Sequence, residues 1–111
     1  MILNVVISEN SIPVNVPDEI IGEAGEFFNK LDADMDKGWQ VGRKWVDTLS
    51  LEQRCQVVAD KMLTALENEN KQVCVMMAAY ILNRVPGIKG VRTATNGEIN
   101  ETELLMDSSE F

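Results

Sequence analysis

Apolar residues dominate the start of the chain and then alternate with other residues, the pattern of two successive strands. Residues 2–8 are dominated by isoleucine, leucine and valine, which favours a strand buried on both faces or nearly so. After a turn-like stretch at 8–11, residues 12–16 place apolar side chains at every second position. Because Pro13 cannot donate a hydrogen bond to a neighbouring strand, this second strand is predicted to be short or to lie at a sheet edge. The pattern therefore predicts an N-terminal β-hairpin.

Helical spacing of apolar residues follows this hairpin. It begins near Asp18, a residue suited to capping a helix, and continues to Leu31. Gly22 and Gly25 each weaken a helix by about 1 kcal/mol relative to alanine, so tertiary packing must support it. The helix is predicted to end in a run of aspartates, with Gly38 as its left-handed stop.

The segment 39–49 is predicted to form a second, short helix. Val41, Trp45 and Leu49 recur at intervals of four residues, which suits one face of a helix. In this interpretation Trp45 belongs to the core.

Two longer helices follow and have clear start and stop signals. Ser50 and Gln53 form a capping box, which predicts a helix over residues 51–66. A further apolar stripe predicts a helix over residues 71–85, and Pro86-Gly87 ends it.

The end of the chain admits two structures. Asn96-Gly97 is a hairpin-turn signal that allows residues 93–95 to pair with 98–100. Alternatively the segment is a loop followed by an acidic tail. We therefore predict one α+β domain over residues 1–104, with an N-terminal hairpin, three or four helices and a short C-terminal hairpin or loose acidic tail, and a flexible acidic tail over 105–111.

Charge narrows the classes of partner. Ten basic residues face eighteen acidic ones, for a net charge of −8, which argues against a nucleic-acid ligand. Residues 1–38 carry eight acids and two bases, residues 39–95 five acids and eight bases, and residues 96–111 five acids and no base. The acidic ends either fold against the basic middle or simply keep a small protein soluble. Arg54 is assigned to the solvated face of its helix.

The N-terminus and the cysteines bear on location. The apolar N-terminus lacks a basic leader and a small-residue cleavage site, and it is too short to span a bilayer. Cys55 and Cys74 lie within apolar helical patterns without disulfide-dense spacing. We expect a cytoplasmic protein with two buried, unbridged thiols and no membrane contact.

No catalytic constellation is present in the sequence. The chain has no histidine, which removes the usual general base and the commonest transition-metal ligand. There is no G-x-S-x-G motif, no glycine-rich phosphate loop and no cysteine beside a positive helix start. We expect a protein-binding or accessory module that has no catalytic activity and needs no cofactor.

The alternative to that role depends on three alternating aspartates, Asp32, Asp34 and Asp36, since carboxylates are ligands of hard cations. The run resembles the first half of an EF-hand loop, whose ligands fall at positions one, three and five. However, Lys37 stands where that family requires glycine, and Arg43 where it requires glutamate. One interpretation is weak binding of Mg²⁺, Mn²⁺ or Ca²⁺, with metal-dependent chemistry as an extension. The other is a structural turn whose charges are paired by the bases that follow.

Partner-binding residues are predicted from aromatic, basic and methionine side chains. Trp39 and Arg43 suit an interface anchor, although Trp39 suits the core equally well. Met76 and Met77 either fill the core or form a self-association face. We expect a protein partner, most simply a second copy in a two-fold dimer, with the two longer helices at or near the contact.

Overall fold

The structure, a computed structural model, describes residues 1–106. It confirms the α+β class, with the N-terminal strand pair and four helices. Strands β1 (Ile2–Ile7) and β2 (Asn10–Asn15) form an antiparallel hairpin whose turn includes Ser8 at φ +55°.

Pro13 lies in β2 where a missing N–H group costs nothing. The backbones of Met1 and Val16 bond to each other in both directions, at 2.7 Å each. Hydrogen-bonded pairs alternate along an antiparallel ladder, so Pro13, which is opposite Asn4, occupies a non-bonded pair. Its backbone nitrogen therefore faces away from β1, at the free edge of the sheet, as predicted for an edge strand.

The helix predicted from residue 18 onwards is interrupted and forms two helices. They are α1 (Asp18–Glu23) and α2 (Gly25–Met35), with Ala24 between them. Neither Gly22 nor Gly25 has an atom within 4 Å of where a Cβ would lie, so no close contact requires glycine at either position, and the packing that supports α2 comes from its buried residues Phe28, Leu31 and Met35.

The segment predicted as a helix over 39–49 forms a β-hairpin instead, so that prediction is wrong. Strands β3 (Trp39–Val41) and β4 (Lys44–Val46) pair antiparallel around a two-residue loop. Gly42 has φ +63° and Arg43 has a negative φ, which corresponds to a type II′ turn. Glycine at the first loop position makes this turn favourable, whereas the same glycine weakens a helix.

The two longest helices, both of which were predicted, pack together after a short connection. Helix α3 (Leu51–Glu67) begins with the capping box of Ser50 and Gln53, in which both reciprocal hydrogen bonds are present. Helix α4 (Lys71–Arg84) follows, and its N-cap Asn70 accepts a hydrogen bond from the backbone of its third residue.

Two further strands complete the sheet. Strand β5 (Ile88–Thr93) pairs parallel to β1, and β6 (Glu103–Met106) pairs antiparallel to β5, which gives the order β2-β1-β5-β6. A C-terminal hairpin is therefore present, but it pairs residues 88–92 with 103–106 instead of 93–95 with 98–100, and Ile99–Glu101 forms a 3₁₀ turn. Leu105 and Met106 belong to β6, and the rest of the predicted tail lies outside the described residues.

The core lies between one face of the sheet and the helices. Leu3 and Val5 of β1 and Val91 of β5 are fully buried, and they form one cluster with α3 and α4. Across residues 1–106, no helix is long and apolar enough to cross a membrane.

Candidate functional site

The aspartate run lies in the last turns of α2 rather than in a loop. Asp32 and Asp34 are helical, and Asp36 is the C-cap. At about 100° per residue, positions 32 and 36 share one side of a helix and position 34 lies on the other. Helical geometry therefore separates carboxylates that an EF-hand loop would bring together.

Asp32 is paired with side chains from two other helices. Its carboxylate accepts hydrogen bonds from Tyr80 Oη at 2.5 Å, Arg84 Nη2 at 2.9 Å and Arg54 Nη1 at 3.1 Å. Arg54 also donates to Asp36. The basic partners of the run are thus Arg54 and Arg84 from α3 and α4, whereas Arg43, one of the bases after the run that were expected to pair with it, lies 3.7 Å from Glu98.

These contacts change the acidity of the groups. Partial burial raises the pKa of Asp32, but the hydrogen bonds from Tyr80, Arg84 and Arg54 outweigh burial and hold the pKa below its ordinary value. Burial, and then the hydrogen bond to Asp32, raise the pKa of the Tyr80 hydroxyl. The ionised carboxylate and neutral phenol are therefore the stable pair at neutral pH.

This arrangement ties three helices together but does not resemble a cation site. Two guanidinium groups are already paired with the carboxylate of Asp32, so their positive charge would repel a divalent cation at that position. Within the described part of the chain, no group of three or more carboxylate or thiol side chains is arranged to hold a metal ion. The metal hypothesis for Asp32, Asp34 and Asp36 remains a prediction with no geometric support.

The two tryptophans occupy opposite faces of the β3–β4 hairpin. Trp39 is half-buried, packs against the core and has the ammonium of Lys61 4.7 Å from its ring centroid. Trp45, predicted to be in the core, is 58% exposed because the segment is a hairpin and not a helix. Its indole donates a hydrogen bond of 2.9 Å to Asp47.

The two methionines predicted to bind partners have different surroundings. Met77 is buried in the core, whereas Met76 is half-buried and lines an open groove. The groove has a volume of about 670 Å³ and continues into a second depression of about 520 Å³ that shares Lys71 and Val75 with it. We call this combined depression the α4 groove. Its apolar lining residues include Ile12, Pro13, Pro17, Ile20, Phe27, Leu66, Val73, Val75 and Met76.

The segment of α1 and early α2 that contributes Ile20 and Phe27 to the α4 groove is acidic. Asp18, Glu19, Glu23 and Glu26 are all exposed, and the stretch from 18 to 26 carries no basic residue. Among the residues that line the groove, Lys71 and Glu69 carry charge. An apolar lining next to an acidic segment of the chain favours an apolar partner segment with basic neighbours.

Comparisons with protein-family models, with curated proteins and with solved structures found no match for this chain.

The α4 groove was only partly predictable. The methionine pair and the apolar richness of α4 were visible in the sequence, but the contribution of α1, α2 and β2 depends on tertiary packing. A signal existed in α4 itself, since residues 73–82 are ten consecutive apolar residues with no polar stripe to face solvent.

Proposed function

We propose that this protein is a non-catalytic protein-binding module, and that its α4 groove takes a partner segment with apolar side chains beside lysine or arginine. One observation carries the proposal. Residues 73–82 of helix α4 are apolar on all sides, yet Val73, Val75 and Met76 in the first half of the helix are not fully covered. A helix of that composition is typical of a buried position.

The exposure pattern along α4 supports this proposal. Tyr80 and Ile81 in its second half are fully buried, whereas Val73 in its first turn is 37% exposed and Val75 and Met76 are half-buried. Covering these side chains would remove apolar area from water at about 25 cal/mol per Å². A partner segment that buries these side chains therefore gains a favourable hydrophobic contribution to its binding free energy.

Charge supports the choice of partner chemistry. Residues 18–26, the segment that contributes Ile20 to the groove, carry four exposed acids and no base, so a partner with basic residues beside its apolar face would meet opposite charge on that segment. A strongly acidic segment would meet like charge. The proposed ligand is therefore a cationic amphipathic segment.

The test is binding of a short, fluorescently labelled peptide with leucine at helical spacing and lysine elsewhere. We expect fluorescence anisotropy to show saturable binding, and Val73→Asp to weaken it by about tenfold or more, which is about 1.4 kcal/mol. A peptide of the same pattern with glutamate in place of lysine is expected not to bind.

Leu51→Asp is the matched control. Leu51 is 48% exposed and lies in the first turn of α3, just as Val73 lies in the first turn of α4, but it does not line the groove. An aspartate near a helix start is compatible with folding at both positions. Equal binding by both variants, or no binding by the wild type, would contradict the proposal.

A further inference from the structure

A polar cleft lies between the start of α3 and the segment 100–104, which includes the first residues of β6. The cleft has a volume of about 540 Å³, and Glu52 and Gln56 line it from α3. These two residues are four positions apart, so they share one face of the helix. The cleft has no lining residue in common with the α4 groove, so its properties are independent of the function proposed for that groove.

The residues that line the cleft make it acidic. Glu52, Glu101 and Glu103 are all exposed, and no basic residue of the described chain lines the cleft with them. Glu101 accepts a hydrogen bond from Asn96 at 2.8 Å, and Glu103 lies 3.4 Å from the exposed Arg92. Glu52, in contrast, has no hydrogen bond or ion pair with any residue from 1 to 106. The carboxylate of Glu52 is therefore available to a cation in the cleft.

Gln56 presents an unpaired hydrogen-bond acceptor in the same cleft. The residue is only 5% exposed, and its amide nitrogen donates to the carbonyl oxygens of Asn100 at 3.3 Å and Thr102 at 3.0 Å. Because both partners are acceptors, they fix which end of the amide is the nitrogen. The amide oxygen Oε1 accepts no hydrogen bond from any described residue. Since no fully buried side-chain oxygen or nitrogen in the described chain lacks a partner, Oε1 is open to the cleft that Gln56 lines.

We propose that this cleft binds a primary ammonium group on an alkyl chain, either a lysine side chain or one end of a free polyamine. An ammonium group has three N–H donors and no acceptor, so it suits the unpaired oxygen of Gln56 together with the carboxylate of Glu52. Such charge-assisted hydrogen bonds are stronger than neutral ones. Leu104 is half-buried and adds apolar surface to the lining, against which the methylene groups of the chain pack.

The same acceptors suit other cations less well. Within residues 1–106, no group of three or more carboxylate or thiol side chains is arranged to hold a metal ion, and the unpaired acceptor is a neutral amide oxygen. A guanidinium group is planar and matches the two oxygens of one carboxylate. An ammonium group instead donates in three directions, which matches one amide oxygen beside a carboxylate.

The test is a titration of the isotopically labelled full chain with spermidine, followed by proton–nitrogen NMR of the side-chain amides. A salt concentration of about 150 mM NaCl screens long-range attraction to the acidic protein. We expect the side-chain amide of Gln56 to shift saturably, whereas that of Gln40, which does not line the cleft, should not shift. Glu52→Gln removes the available carboxylate and is expected to weaken binding by about fivefold or more.

Glu26→Gln is the matched control. Glu26 is an exposed glutamate in the first turn of α2, just as Glu52 lies in the first turn of α3, but it does not line the cleft. Both substitutions change the net charge by the same amount, so Glu26→Gln is expected to change the affinity by less than about twofold. The NMR spectra themselves show whether each variant retains the fold.

A second titration identifies the source of the ammonium group. A capped glycine-lysine-glycine peptide presents a lysine side chain as a protein partner would. A saturable shift of Gln56 with this peptide assigns the site to a protein lysine, and a shift with spermidine alone assigns it to a free polyamine. Either result supports an ammonium site.

Three results would overturn the inference. Absence of a saturable shift of Gln56 with both compounds excludes the site. Equal weakening by Glu52→Gln and Glu26→Gln shows only a general attraction between cations and an acidic protein. Displacement of spermidine by an equal concentration of Mg²⁺ shows that the cleft prefers a divalent cation to an ammonium group.

Discussion

The hydroxyl of Tyr80 donates a hydrogen bond of 2.5 Å to Asp32, a residue 48 positions earlier in the chain. Arg84, one turn further along α4, binds the other oxygen of the same carboxylate at 2.9 Å. Arg54 binds it from α3. The carboxylate of Asp32 therefore joins α2 to α3 and α4, although Asp32 belongs to the run of aspartates that most resembles a metal motif.

Replacing Asp32 by asparagine should destabilise the fold, whereas the same change at Asp34 should not. Asp32→Asn removes charge-assisted hydrogen bonds and leaves Arg54 and Arg84 without their shared carboxylate, for a loss of about 2 to 3 kcal/mol. Asp34 is exposed, so Asp34→Asn should stay within about 0.5 kcal/mol of the wild type. Urea unfolding measures the free energy of unfolding of both variants. Equal stability of the two variants would show that the Asp32 contacts contribute nothing net.

The contribution of Asp32 should depend on pH. Its folded-state pKa is lowered, so the stabilisation is fully present above the unfolded-state value of about 3.9 and is lost as pH falls through the lower, folded-state value. The difference in unfolding free energy between wild type and Asp32→Asn should therefore be constant from pH 7 to about pH 5 and shrink below about pH 4. If this stability difference instead grows on acidification, the folded-state pKa of Asp32 is raised and not lowered.

Asp60 provides an internal contrast to that pH dependence. Burial raises the pKa of Asp60, so the ionised form of this carboxyl opposes folding. As the pH falls through the raised pKa, protonation of Asp60 should therefore stabilise the folded state. Asp60→Asn is therefore expected to cost little at pH 7, and the stability of the wild type relative to this variant should rise on acidification. Urea unfolding of Asp32→Asn, Asp60→Asn and the wild type at a series of acidic pH values shows whether the two carboxyl groups change stability in opposite directions.

Much of the fold was predictable where the signals are local. The capping box at Ser50, the stop at Pro86-Gly87 and the edge position of Pro13 each depend on a few neighbouring residues. The helix predicted over 39–49 failed because the chain turns at Gly42-Arg43, so Val41 and Trp45 lie on opposite faces of the hairpin although they are four residues apart. The Gly42-Arg43 pair was the available signal, since glycine opens a type II′ turn and weakens a helix.

The pairing around Asp32 was not predictable, because it depends on contacts between distant segments. Tyr80 and Arg84 are four positions apart and share one face of α4, a pattern visible in the sequence. Nothing in the sequence, however, indicates that this face meets the end of α2 rather than solvent. Likewise, the parallel pairing of β1 with β5 brings together residues more than 80 positions apart, which no local pattern specifies.

Divalent cations should leave the stability nearly unchanged. Asp32 is bonded to two guanidinium groups, and the helix separates Asp34 from the other two carboxylates. A bound ion would stabilise the fold by about 2.7 kcal/mol at a hundred times its dissociation constant, whereas we expect no saturable shift in Tm with millimolar Ca²⁺, Mg²⁺ or Mn²⁺. A saturable increase of several degrees that Asp34→Asn abolishes would instead support the carboxylate metal site.

Neither cysteine should react while the protein is folded. Cys55 is fully buried and Cys74 is nearly so, and burial raises the pKa of both thiols, that of Cys55 to about 12. The thiolate is the reactive form, so both protonation and burial protect them. A chromogenic thiol reagent at neutral pH is expected to detect no thiol in the native protein and two after denaturation.

Leu51→Cys supplies the positive control for this measurement, because an exposed thiol at that position should react at once in the folded protein. Mass spectrometry then assigns any labelled residue. Rapid labelling of Cys74 alone would show that the first half of α4 opens locally, since that residue lines the α4 groove. A bridge between Cys55 and Cys74 in the native protein would contradict the packing of α3 against α4.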